Sequence, residues 1–156
     1  MTHDMRRKDK QITDEAAIGS IVRRARVCRL AVSDDGQPYV VPLCFGYKDG
    51  ALYFHSAGEG RKIDILRRNS RVCVEFDIDT ELVTNEQACQ CTMRYRSVIA
   101  FGKASFVEDV ESKREALDIL MSQYSDRSWA YSDEAVGKVA IIRVDIESMT
   151  GKQSGY

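Results

Sequence analysis

Two short sequences, Asp34-Asp35-Gly36 and Lys48-Asp49-Gly50, set acidic residues against glycine, the combination that tolerates the positive φ of a tight chain reversal. Strand-like runs flank both. Arg26 to Ser33 is rich in β-branched and small apolar residues, Pro38 to Tyr47 follows, and Ala51 to His55 completes the set. The stretch predicts a three-strand antiparallel meander. Pro42 has no N–H to give to a ladder, so its strand lies at an edge, carries a bulge, or uses that side of its backbone for something other than pairing.

The rest of the chain extends this pattern. Ala17, Ile18, Ile21, Val22 and Ala25 recur at helical spacing behind Thr13 or Asp14 as cap, which predicts an opening amphipathic helix. Glu59 to Asn69 reads as a short helix and Arg71 to Asp77 as a strand. Cys89 to Val107 reads as a long strand bent or bulged at Gly102. Asp109 to Tyr124 carries Ala116, Leu117, Leu120, Met121 and Tyr124 on one helical face, and Val139 to Ile146 is a final strand. About six strands and three helices result, mainly β, with tight turns that favour an antiparallel barrel or sandwich over a doubly wound parallel sheet. The 156 residues suit one domain, with 1–12 expected as a mobile N-terminal extension.

Charge and cysteine usage narrow the function classes. Lys plus Arg number 23 and Asp plus Glu 24, so the formal charge of −1 provides no global field for a phosphate backbone. No apolar run approaches the eighteen or so residues of a membrane span, and the charged N-terminus is unlike a secretion signal, so a cytoplasmic protein without membrane or nucleic-acid partner is expected. Five cysteines argue against a disulfide framework. Cys28, Cys44 and Cys73 lie in apolar stretches and read as small core residues. Cys89-Gln90-Cys91 has no second close pair and only two histidines in the chain to complete a tetrahedral zinc site, so no metal is expected.

Chemistry concentrates in Tyr53-Phe54-His55-Ser56-Ala57-Gly58-Glu59-Gly60-Arg61-Lys62. A strand ends in His-Ser, passes two glycines and opens a helix whose first turn carries two cations, against the helix macrodipole. Free amides, the Ser56 hydroxyl, Arg61 and Lys62 together describe a phosphate cradle. The bland alternative is a solvated basic turn partly neutralised by Glu59 and Asp64. The spacing fits neither G-x-x-x-x-G-K-[ST] nor G-x-G-x-x-G. His55, beside the cradle, is either a catalytic residue or a hydrogen-bonded structural one. The strand around Pro42 offers unpaired backbone groups to the polar edge of a planar heterocycle. Met93-Arg94-Tyr95-Arg96-Ser97 either completes that pocket or forms an exposed strand face. No Ser-His-Asp order or paired-carboxylate motif supports hydrolysis.

Pro38 to Tyr47, Leu52-Tyr53-Phe54-His55-Ser56-Ala57 and Gly60-Arg61-Lys62 resemble the pyridoxamine 5'-phosphate oxidase-like flavoproteins, and in particular the branch that includes the nitroimidazole-resistance (nitroimidazole reductase) proteins. The likeness runs from about Met5 to about Met149. It implies a split β-barrel holding FMN at the interface of a homodimer. Val41, Pro42, Leu43 and Cys44 would line the isoalloxazine, His55 and Ser56 would lie near the ring and ribityl chain, and Arg61 and Lys62 would hold the phosphate. Tyr95, Arg96 and Ser97 would complete the site, from the same or the partner subunit. The arginine and histidine motif of the true oxidases is missing from Gly137 to Tyr156, which argues against pyridoxamine phosphate as substrate.

The expectation is therefore an FMN-dependent oxidoreductase that takes electrons from NADH or NADPH and passes them to a small acceptor such as a nitroaromatic, with His55 as candidate proton donor. The alternatives are a non-catalytic flavin- or haem-binding module and an RNA-binding barrel. Trp129 and Tyr131 either face the substrate or cover a core beside the last strand.

Overall fold

The computed structural model describes residues 4–156, so Met1, Thr2 and His3 of the expected N-terminal extension lie outside it. In chain order the elements are β1 (Gln11–Ile12), α1 (Glu15–Arg24), β2 (Cys28–Asp34), β3 (Gln37–Leu43), β4 (Gly46–Lys48), β5 (Ala51–Ser56) and α2 (Arg61–Arg68). There follow β6 (Arg71–Val83), β7 (Thr92–Val107), α3 (Val110–Ser122), α4 (Asp133–Lys138) and β8 (Ala140–Ser154). Among the described residues these make eight strands and four α-helices, more than the six and three read from sequence. Within the expected extension, Lys8–Lys10 forms a 3-10 turn and β1 pairs with Gly151 and Lys152 of β8. Asp14 caps α1 by accepting the Ala16 amide, as expected of a short acidic cap.

Every strand pairing is antiparallel, in the order β3-β2-β6-β7-β8-β5-β4, with β1 on β8. Both turn signals make hairpins. Asp35 and Gly36 have φ of 47° and 81°, and Asp49 and Gly50 have 49° and 74°, the left-handed pairs that match strand twist. Pro42 lies on β3, an edge of the sheet path.

The three-strand meander is corrected. β3 and β4 do not pair; they belong to two hairpins at opposite ends of the sheet path. The chain leaves the sheet at Cys44 because Phe45 drops into the core, where its ring meets Phe76 edge-on at 5.0 Å. Gly46 then passes so close to α3 that a Cβ there would lie 2.6 Å from Leu120 Cα. Cys44 is consequently exposed rather than a core residue, whereas Cys28 is buried and Cys73 half-buried.

One side chain pins this crossing. The Phe45 amide donates to the Tyr124 hydroxyl at 3.0 Å, and that hydroxyl donates to the Arg26 carbonyl at 2.8 Å. Burial pushes the phenol up to about 12, so it stays protonated and able to donate at neutral pH. Tyr124→Phe strands the Phe45 amide in a part-buried place, removes the exposed bond to the Arg26 carbonyl, and is expected to cost about 1 to 3 kcal/mol. Urea denaturation checks this; an unchanged midpoint would show that water replaces both bonds.

β7 and β8 are the longest strands, 16 and 15 residues, and they slip register between Phe101 and Gly102. The irregularity expected at Gly102 is present: Glu147 of β8 is left over between the pairs Phe101–Ser148 and Gly102–Ile146, and glycine is required there because a Cβ would collide with the Asp145 carbonyl oxygen. The bend curls the sheet around a core that includes Phe45, Phe54, Phe76, Leu30, Leu52 and Ile142, with α1 and α2 packed against it. The result is a mainly β barrel with flanking helices.

Candidate functional site

β5 ends at Ser56, the chain loops through Ala57 to Gly60, and α2 begins at Arg61. Gly60 has φ 120° and ψ 167°, a conformation that only glycine adopts without strain, and it turns the backbone directly into the helix. Its carbonyl accepts the Asp64 amide at 3.0 Å, and no side chain caps the helix. The first amides of α2 therefore have no partner within the helix and point outward.

Arg61 and Lys62 flank those amides. The Arg61 guanidinium lies 4.6 Å from the Tyr39 ring centroid, which orients it with an aromatic face rather than a carboxylate. Asp34 is held by Arg68 at 2.5 Å. Lys62 is half-buried, and burial pushes its ammonium below the ordinary lysine value. A partly dried cation beside uncapped amides is a place where an anion lowers the free energy.

These groups line a groove of about 410 Å³ that also includes Val41, His55 and Ser56. The structure thus brings together Val41, His55, Ser56, Arg61 and Lys62, although β3 and β5 are not sheet neighbours. Along β3 from the groove, Pro42 is exposed, Leu43 packs on the core and its carbonyl accepts the Cys28 thiol, and Cys44 is exposed. Tyr39 was missed from sequence. Its signal was the strand alternation, which puts residues 39 and 41 on one face.

Tyr95, Arg96 and Ser97 lie elsewhere. His55 is opposite Ile141, which is opposite Val107, and Tyr95 is twelve residues up the same strand. That is on the order of 40 Å of strand. Arg96 pairs with Asp79 at 2.6 Å and stacks on Tyr156 at 4.0 Å, while Ser97 sits opposite Asp77 and Lys152. Within this chain they do not reach the groove. Trp129 is exposed with Arg127 stacked on it at 4.6 Å, and the Tyr131 hydroxyl is buried without a hydrogen-bond partner.

The fold is thus a curled antiparallel sheet with an open, cation-flanked helix start at its rim. Residues 14–153 match the family model for pyridoxamine 5'-phosphate oxidase, and the chain belongs to that family. It is similar to the crystal structure of a protein provisionally described as a 5-nitroimidazole antibiotic resistance protein from Bacteroides thetaiotaomicron. The two are 44% identical, with a TM-score of 0.83, over 92% of this chain and 86% of that one. It is also similar to a FAD-binding protein of Mesorhizobium loti, at 27% identity and TM-score 0.68, over 94% of this chain and 98% of that one. An uncharacterized protein of Rhizobium meliloti is 31% identical over 83 residues. That match covers 53% of this chain and about half, 48%, of the length of the curated relative. Among the described residues no helix is long and apolar enough to cross a membrane.

Proposed function

We propose that this protein is a cytoplasmic, single-domain FMN-dependent oxidoreductase that takes electrons from NADH or NADPH and passes them to a small acceptor. A nitroaromatic is the acceptor class that the 44% identical relative suggests. The observation that carries the proposal is the groove where uncapped α2 amides, Ser56, Arg61 and Lys62 converge. That donor set suits a dianionic phosphate, and Val41 with the edge backbone around Pro42 suits a flat ring beside it.

Bound FMN supplies the redox chemistry. Arg61 and Lys62 hold its phosphate, Ser56 and His55 flank the ribityl chain and ring, and Val41, Pro42, Leu43 and Cys44 line the isoalloxazine edge. His55, exposed at the strand end, donates a ring N–H proton to the reduced acceptor.

A homodimer completes the site, because Tyr95, Arg96 and Ser97 reach a groove only as residues of a second subunit. The outer face of the sheet supports such pairing. Val40, Ala31, Cys73 and Phe101 stand opposite one another across β3, β2, β6 and β7, and Val40 and Phe101 are 55% and 50% exposed. Large apolar side chains aligned in this way mark an association surface.

The test is reconstitution. Purified protein with FMN is expected to show flavin absorbance that bleaches anaerobically with NADH or NADPH and returns with a nitroaromatic acceptor. His55→Ala is expected to keep the bound flavin and its bleaching but slow acceptor reduction by about 10²-fold or more. Equal turnover by the variant would remove His55 from the mechanism, and failure to bind FMN would remove the flavin reading itself.

A further inference from the structure

A second hollow, of about 200 Å³, shares the Ala57–Gly60 loop with the groove, with Gly58 in its wall. Arg67 on α2, Lys113 on α3 and Lys138 on α4 converge on it, and Glu108 is its single acidic residue. Lys138 is paired with Glu134, and Lys113 donates to the Val139 carbonyl at 2.9 Å, keeping two donor positions free. The Arg67 guanidinium stacks over Phe106 at 5.9 Å. The hollow therefore carries an excess of positive charge in a chain whose net charge is −1, with the half-buried Phe106 and Val107 as apolar lining.

We propose that this hollow binds the phosphorylated adenosine end of a dinucleotide. Cations answer the phosphate, and the Phe106–Arg67 stack with Val107 answers the flat purine. The proposal rests on the flavin reading only for where the rest of the ligand lies, since the loop that walls the hollow also walls the FMN groove. The adenosine phosphate comes from one of two sources: the flavin itself, if FAD replaces FMN, or the electron donor, if it is NADPH.

Affinities of FMN, FAD and NADPH for the full chain are compared in the wild type, Arg67→Gln and Lys113→Met. The expected result is a loss of roughly tenfold or more for FAD, NADPH or both in each variant, with FMN affinity unchanged. A loss confined to FAD assigns the hollow to the flavin, and one confined to NADPH assigns it to the donor. No loss for either dinucleotide, or an equal loss for FMN, overturns the proposal. Should the wild type bind no flavin, 2',5'-adenosine diphosphate titrated alone still reads the hollow: weaker binding in both variants supports the proposal, and equal or absent binding overturns it.

Discussion

Replacing Arg61 and Lys62 together by alanine is expected to weaken FMN binding by about 2 to 4 kcal/mol, roughly 30- to 1000-fold in the dissociation constant. The magnitude follows from the setting. On the proposed reading each cation would make a charge-assisted contact to the phosphate, in a groove that already dries Lys62. The helix amides that remain keep some affinity, so the loss is large without being total. Neither side chain lies in the core, and their removal also relieves two charges that oppose the macrodipole. Thermal stability of the flavin-free variant is thus expected to match or exceed the parent, which separates a binding defect from a folding one. Fluorescence titration of FMN gives the affinities. An unchanged dissociation constant would move the phosphate to another part of the molecule.

Gly46→Ala is expected to destabilise the fold by about 3 kcal/mol, near the upper end for overpacking. The added Cβ meets Leu120 Cα and N and Ile119 C at 2.6 to 2.8 Å, all backbone atoms of a helix that cannot rotate aside. Relief requires α3 to move off β4, which disturbs the Phe45 crossing and the Tyr124 hydrogen bonds with it. Gly137→Ala is the control. It lies inside α4 with nothing within 4 Å of its added Cβ, so better helix propensity makes the change neutral or mildly stabilising. Chemical denaturation of both variants decides the matter, and equal midpoints would show that α3 yields easily.

What the sequence disclosed is what local chemistry determines. Asp-Gly turns, the Asp14 cap of α1, the bend at Gly102 and the open start of α2 all depend on residues adjacent in the chain. The splitting of the meander depends on Gly46 meeting Leu120, a contact between distant positions with no periodic trace. Cys44 reads as core from its apolar neighbours yet is exposed, because alternation breaks at Phe45 and Gly46, two successive buried residues. The helix Asp133–Lys138 buries only Val136, too little pattern to read. β8 runs past Ile146 through the polar stretch to Ser154 because β7 and β1 pair with it, not because of its own residues. Of the groove, the cations and His-Ser were legible by motif, while Tyr39 enters only once the sheet has curled.

β8 is the last element yet sits inside the sheet, holding β7 along one side and both β5 and β1 along the other. During translation the flanks of β5 and β7 must wait bare until residues 140–154 clear the ribosome. Until β8 docks, β5 and β7 each present an unsealed ribbon, the kind of edge that invites premature association of partly folded chains.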